Sequence, residues 1–329
     1  MVLAVSATIS GFMAGLLGVG GGVIMVPALY YAFETLSFDP STIMHLSLGT
    51  SLAIIIPTSI MSTKTHMKYN AVDFKLIKSF GIFVAIGILL GTFFASNLDT
   101  PRLVLIFSIF AFCVGLFFIF FREKLGENPR GIPFQIKSFI GTCIGFVSVP
   151  LGIGGGSISV PLMRLFGYSI QNAIGTSAAI GFLISVTGAV SMAFSGLVFD
   201  NVNSPLSIGY VNIPGFLVFV PVTMLMAPIG ARLVHRIEKK LLSRIFGCFL
   251  IIISTIWSID KSITIDKVAL RFLNFILIPS VFLIWKRRKG STDRILRMFS
   301  FFVTCWAMFF ISRGVYQSII HHSTEKLLH

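Results

Sequence analysis

Long apolar runs alternate with short polar connections through most of this chain. A bilayer-spanning helix needs about 20 consecutive apolar residues. Runs of that order cover 1–33, 42–62, 74–96, 102–121, 134–166, 170–195, 210–234 and 241–258, and shorter, less regular ones cover 268–285 and 298–312. The pattern predicts helices throughout. Two of the runs are too long for one span, and each holds three glycines in a row near its middle: Gly20–Gly22 in the first and Gly154–Gly156 in the fifth. Glycine in a helix interior costs about 1 kcal/mol relative to alanine, so both runs are expected to be helices broken at the triplet. Inside a bilayer, broken backbone persists only where protein or a water-filled cavity covers it. The two breaks are therefore the first candidates for a substrate site.

The breaks belong to an internal duplication. GVGGGVIMVP at Gly18–Pro27 matches GIGGGSISVP at Gly152–Pro161, 134 residues later. Gly49-Thr50-Ser51 matches Gly175-Thr176-Ser177, and Ser59 matches Ser185, now 126 residues apart, which puts eight extra residues in the first copy near Glu34–Pro40. Gly91 matches Gly230. Residues 1–121 and 134–258 read as two copies of one unit. The polar, turn-rich stretch Arg122–Arg130 lies in the linker 122–133, and 259–329 forms a C-terminal tail.

Charge sharpens the topology. If every run crossed the membrane once, Lys64, Lys68, Lys75 and Lys78 would face away from Arg232, Arg236, Lys239, Lys240 and Arg244. If the two broken runs are instead hairpins that enter and return, fourteen of the Lys and Arg within 1–258 fall on one side and Arg102 alone on the other. Cytoplasmic loops are enriched in Lys and Arg, so the hairpin arrangement is expected, with the charged loops cytoplasmic. Each copy then holds one re-entrant hairpin and three spans. Three is odd, so the copies insert in opposite senses. Inverted repeats with broken helices at matching positions are the pattern of secondary transporters.

Composition agrees. The chain has 329 residues, 55% hydrophobic and 12% charged, with mean hydropathy +0.92; soluble domains carry about 25% charge. The net charge of +14 sits in loop clusters and does not point to nucleic acid. Cys113, Cys143, Cys248 and Cys305 lack metal-ligand or CxxC spacing and are expected to be small core residues. The N-terminus has no positive region ahead of its apolar run and reads as a membrane segment, not a signal peptide.

Several residues carry candidate chemistry. The helix arm that follows a glycine break presents free N–H groups and a positive dipole end, an anion-binding arrangement. Gly20, Gly21, Gly22, Gly154, Gly155 and Gly156 would let a ligand approach the backbone; alternatively they only permit close helix packing. The hydroxyls of Thr50, Ser51, Thr176 and Ser177 are candidate donors to an oxyanion, or bond back to their own helices. Asn172 precedes the second Gly-Thr-Ser. His45, at the position matching Gln171, is a candidate proton carrier or an interfacial histidine without that role. Arg164 snorkels or attracts an anion. His66 is expected to be solvated in a loop. No Asp or Glu lies within 42–62, 74–96, 102–121, 170–195, 210–234 or 241–258, which argues against cation transport. HExxH, GxSxG, paired membrane carboxylates, a metal cluster and nucleotide-binding GxGxxG context are also missing from the sequence, so no enzyme and no cofactor is expected.

These motifs resemble the sulfite exporter TauE/SafE family of membrane permeases. The similar stretches are Gly11–Tyr31, His45–Ser62 with Thr65–Asp73, Gly145–Met163, Asn172–Phe182 and Gly209–Ile237, nearly continuous from residue 10 to 258. The resemblance implies an inner-membrane permease for small sulfur-containing anions such as sulfite, sulfoacetate or related organosulfonates. The first motif lies so near residue 1 that a shortened first arm is expected, and the tail from Asp260 does not resemble the family. A passive anion channel shares every motif, and a non-transporting membrane docking factor is a further alternative. The expected partners are a small sulfur anion and the bilayer, and a homo-oligomer is compatible with the sequence.

Overall fold

A computed structural model describes residues 2–18, 20–120, 134–198, 204–235 and 251. Among them are nine α-helices and one two-stranded hairpin. The first broken run forms α1 (Val2–Leu17) and α2 (Gly22–Thr35). Two long helices come next, α3 (Ile43–Met67) and α4 (Phe74–Ser96), and then α5 (Thr100–Phe120). The second broken run forms α6 (Phe134–Ser148) and α7 (Gly156–Leu165). After it come α8 (Ile170–Val198), the strands β1 (Ser207–Ile208) and β2 (Val211–Asn212), and α9 (Ile213–Val234). The linker, the tail and the run at 241–258 apart from Ile251 lie outside the described residues. The described residues up to 107, with 134–198 and 204–235, fall in one compact unit. Both broken runs and the helices α3, α4, α8 and α9 belong to this unit.

Among the described residues, four helices, α3, α4, α8 and α9, are long and apolar enough to cross a membrane. Leu89, Leu90 and Phe93 on α4, Val190 and Phe194 on α8, and Leu217 and Leu225 on α9 are exposed, as suits a lipid-facing surface. The interior is lined by α3, whose Leu46, Leu48, Leu52, Ile54 and Ile55 are fully buried.

Both breaks occur and both begin before the triplets, covering 18–21 in the first run and 149–155 in the second. Gly18, Gly20 and Gly21 have φ of 65°, 78° and 80°, and Gly152 and Gly155 have 58° and 70°. Side chains seldom adopt that region, so the helix cannot continue there. The third glycine of each triplet, Gly22 or Gly156, already opens the next helix. The eight-residue offset is shared between a longer helix, 14 residues in α2 against 10 in α7, and a longer connection to the next helix. Among the described residues α1 has 16 residues and α6 has 15.

Contacts between helices give the direction of each arm. Added Cβ atoms on Gly11 and Gly15 of α1 would lie 2.6 Å from Thr223 and 1.9 Å from Ala227 on α9. Leu29 of α2 lies near Gly215, at the start of α9. So α1 runs along α9 and α2 doubles back. In the second copy, Gly145 of α6 packs on Val84 and Ile88 of α4. The residue Tyr168, beyond the end of α7, reaches Asp73 at the start of α4. So α6 runs along α4 and α7 doubles back. Each hairpin is packed on a helix of the other copy, through backbone contacts that only glycine permits.

The β-hairpin carries no signal in the hydropathy pattern. Its register pairs Ser207 with Asn212 and Ile208 with Val211. Gly209, with φ 54°, turns it so closely against α8 that a Cβ would sit 2.0 Å from the Ala193 carbonyl.

Candidate functional site

The two hairpin tips meet in the protein interior. Gly20–Gly22 and Gly152–Gly156 are all buried. A Cβ on Gly22 would lie 2.1 Å from the Gly152 carbonyl oxygen, so the tips touch backbone to backbone. The helices that start there, α2 and α7, each open with N–H groups that have no acceptor within the helix. In α7 the first carbonyl of the turn, Gly155, accepts from Ile158 N at 3.1 Å and Ser159 N at 2.8 Å, and also from the Ser159 hydroxyl at 2.7 Å. Ser157, in the same first turn, is 1% exposed and its hydroxyl has no hydrogen-bond partner among the described residues.

The Gly-Thr-Ser motifs do one job in both copies. The Ser51 hydroxyl donates to the Gly152 carbonyl at 2.8 Å, and the Ser177 hydroxyl donates to the Gly18 carbonyl at 3.1 Å. Thr50 Oγ1 accepts from the Asn212 backbone N–H, and Thr176 Oγ1 accepts from the Asp73 backbone N–H, both at 2.9 Å. A Cβ on Gly49 would lie 2.2 Å from the Tyr210 carbonyl, and one on Gly175 2.3 Å from the Ala71 carbonyl. The glycine admits the incoming loop, the threonine holds the first residue of the next helix cap, and the serine holds the opposite tip. All four hydroxyl residues are fully buried. In this structure they bond protein to protein across the two copies.

The caps match as well. Asp73 is the N-cap of α4 and accepts from Leu76 N at 3.0 Å; Asn212 is the N-cap of α9 and accepts from Gly215 N at 2.9 Å. Each satisfies an N–H that the helix itself leaves open. Asn212 further donates to the Ser207 hydroxyl at 2.9 Å, tying the β-hairpin to the cap.

Other candidates fall elsewhere. Asn172 is exposed in the first turn of α8, and its N–H donates to the Ser169 hydroxyl at 3.2 Å. His45 is buried near the start of α3, with Nε2 3.1 Å from the Ala95 carbonyl and its ring stacked on Tyr210 at 4.9 Å. Arg164 does not reach open surface: it is 6% exposed and its guanidinium donates to the Tyr168 carbonyl. Burial, reinforced by the Asp73 carboxylate, pushes the Tyr168 phenol above its ordinary value. At the other end of the molecule the Ser41 N–H and hydroxyl hold Asp39 below the usual carboxylate range.

Two expectations are corrected. His66 is not solvated: it sits fully buried in the last turn of α3, with Nε2 3.1 Å from the Gly15 carbonyl and Nδ1 3.3 Å from His235 Nε2. The helix simply runs five residues past the expected boundary, to Met67. Cys113 is exposed and Cys143 half-buried, so neither is a core residue; Cys248 and Cys305 lie outside the described residues.

Ser157, Asn212, Asp73 and the His66–His235 pair do not stand out in the sequence as candidates. For Ser157 a signal is there: the first copy carries Val23 and Met25 where the second has Ser157 and Ser159. A departure from the repeat inside its most regular stretch marks a position with its own task.

Known proteins point the same way. The family model described as sulfite exporter TauE/SafE matches residues 3–256. A probable membrane transporter protein of Haemophilus influenzae is 28% identical over 75% of this chain and 93% of its own length. One from Bacillus subtilis is 29% identical over 77% and 95%, and one from Methanocaldococcus jannaschii is 26% identical over 75% and 92%. No solved structure gives a significant match. Transport across a membrane is what these relatives are named for, and with most of its length covered by the family model the chain belongs to the sulfite exporter TauE/SafE family.

Proposed function

We propose that the chain is a permease of small sulfur-containing oxyanions, of the sulfite or organosulfonate class, and that it works by alternating access. The observation that carries this reading is the meeting of two glycine-broken hairpins at Gly22 and Gly152 in the buried centre. Two helix N-termini converge there, and their open N–H groups and dipoles favour an anion. The spans carry no carboxylate that would repel it.

The anion site is assigned to the tip backbone of Gly20–Gly22 and Gly154–Gly156, with the spare hydroxyl of Ser157 as an added donor. Thr50, Ser51, Thr176 and Ser177 hold the tips and caps that form this site. The described tips are packed closed, which suits an occluded state. The two copies, 1–121 and 134–258, are inverted repeats in this reading, and rocking one against the other would expose the tips to either side in turn. The matched contacts of Ser51 with Gly152 and Ser177 with Gly18 support that two-fold relation. The Lys- and Arg-rich loops face the cytoplasm of a cell membrane.

Radiolabelled sulfite flux into proteoliposomes, with and without an imposed pH gradient and with sulfate and chloride as competitors, tests the reading. Accumulation that tracks the gradient is expected, and Gly155→Leu is expected to abolish it while the protein still inserts. Flux that only runs downhill would favour a channel. Absence of any sulfur-anion flux would overturn transport and return the protein to a docking role.

A further inference from the structure

The seam between α3 and α9 is closed differently from its counterpart in the other copy. The 126-residue offset between α3 and α8 and the 139-residue offset between Gly91 and Gly230 pair the α3–α9 seam with the α8–α4 seam. At the far end of the α8–α4 seam, the Ser96 and Ser195 hydroxyls share a hydrogen bond of 2.6 Å, and those of Thr92 and Ser191 share one of 2.7 Å. Ser96 matches His235, and Ser195 matches Tyr69. So hydroxyls at one end stand where imidazole and phenol stand at the other. There, His66 bonds to His235, and Tyr69 stacks on His235 with ring centres 4.0 Å apart. The buried Met192 matches His66. His45 and His66 are 21 residues apart on one helix, which at a 1.5 Å rise is about 31 Å, a membrane thickness. The two seams close opposite ends of the molecule.

The His66–His235 bond sets its own proton count. The Gly15 carbonyl can only accept, so His66 Nε2 carries hydrogen and donates to it. In the neutral ring Nδ1 is then an acceptor, and it receives the His235 Nε2–H. One further proton can settle on His235 Nδ1 without breaking this chain. A second must go to His66 Nδ1, where it faces another N–H donor 3.3 Å away, and the bond is lost. We propose that His66 and His235 form a proton-binding latch, closed while they hold one shared hydrogen bond and opened at the Lys- and Arg-rich end when both imidazoles become charged.

The surroundings favour this response. Among the described residues, the titratable side chains on the elements around the pair are Lys64 on α3, Lys68 and Tyr69 in the turn after it, and Arg232 on α9; those of α1 and the inner part of α8 carry none. No carboxylate able to neutralise an imidazolium is among them; Arg236, Glu238, Lys239 and Lys240, which follow His235 in the sequence, lie outside the described residues. Asp73, the first carboxylate along the chain after His66, is held by the Leu76 N–H and the Tyr168 hydroxyl. Glu34 lies at the opposite end, on the last turn of α2. Burial pushes the His235 imidazole below its ordinary value. A group depressed in the closed form stabilises that form above its ordinary pKa, about 6.5, and the contribution is lost as pH falls below it. Acid therefore opens the seam. His66 keeps its Nε2–H on the Gly15 carbonyl throughout; the contact that opens is that with α9, along which α1 packs through Gly11 and Gly15.

This latch would supply the proton dependence of the transport proposed above, but its test does not need flux. Hydrogen exchange of the full chain in phosphatidylcholine nanodiscs, corrected for intrinsic rates, is read from pH 8 to pH 5. Exchange in 10–18 and 224–235 is expected to rise by about tenfold per pH unit for each proton taken up on opening. Segments 88–97 and 188–198, at the hydroxyl seam, are expected to stay constant. His235→Gln keeps a donor to His66 Nδ1 but cannot titrate, and is expected to leave the seam protected and insensitive to pH. A pH response that persists in both His235→Gln and His66→Gln overturns the latch, as does an equal response of the two seams in the unaltered protein or no response at all. The last comparisons hold whether or not the variants fold.

Discussion

The two glycine breaks and the two seams beyond them obey different rules. At the breaks the copies agree contact for contact: Ser51 to Gly152 as Ser177 to Gly18, Thr50 to Asn212 as Thr176 to Asp73, Gly49 against Tyr210 as Gly175 against Ala71. At the seams the same positions carry imidazoles in one copy and hydroxyls in the other. Backbone carbonyls and N–H groups at a break leave few side chains able to satisfy them, because an unmet buried polar group costs about 1–3 kcal/mol. A seam between two finished helices has no such requirement. Its chemistry is free to differ between the copies.

Substitutions at the tip glycines should have the largest effects and should split the pair. Gly18→Ala forces a side chain at φ 65° and puts its Cβ 2.4 Å from the Ile174 carbonyl, which is backbone. Gly152→Ala meets the Val26 methyl at 2.6 Å, with the Leu48 backbone no nearer than 3.2 Å, and a methyl can turn aside. Both substitutions cost about 1–2 kcal/mol for the left-handed conformation. Gly18→Ala should therefore be the worse, by about a further 1 kcal/mol on the scale of overpacking. Thermal unfolding in detergent measures the order; equal loss from both would mean that the tips relax alike despite different neighbours.

Next come the serines. Ser51→Ala and Ser177→Ala each leave a buried carbonyl without its donor, a loss of about 1–3 kcal/mol. The comparison requires similar losses from the two, and a lower melting temperature in each by several degrees. A large loss from one and none from the other would break the equivalence of the copies. The same alanines should slow sulfite flux without abolishing it, since the proposed anion contacts lie on the tips and Ser157.

Much of this architecture is legible in the sequence alone. The breaks, the helix 74–96, the run 210–234 that holds α9 and the duplication all follow from hydropathy and from glycine, which act locally and repeat. What the motif residues touch is not legible there. Ser51 meets Gly152 across 101 positions of sequence, and nothing in a Gly-Thr-Ser triplet says whether its hydroxyls face a ligand or a carbonyl. The sequence misplaces His66 because Lys64 and Lys68 flank it, and flanking charge reads as solvent although one face of a helix end can still be buried. It misplaces Cys113 and Cys143 for the converse reason: an apolar run in a membrane helix has an outer face toward lipid, so hydropathy does not mark the core.

The smallest expected effect lies at the charged end of the second hairpin. Tyr168 donates to Asp73 over 3.4 Å, a long bond, and Asp73 keeps its cap contact with Leu76 without it. Tyr168→Phe should change stability by no more than about 0.5 kcal/mol, within the range of an ordinary surface substitution. Its signature is in titration instead. The phenol is raised by burial and by Asp73, so the protonated form is the one that suits the folded chain. That contribution is present below the ordinary phenol value of about 10 and is lost as pH rises past it. Absorbance of the tyrosinate should show a component titrating above about 10 that is absent in Tyr168→Phe and shifted back toward about 10 in Asp73→Asn. At the matching cap Asn212 is uncharged and binds Ser207 in place of a phenol, so Asn212→Ala should loosen the β-hairpin and leave that titration unmoved.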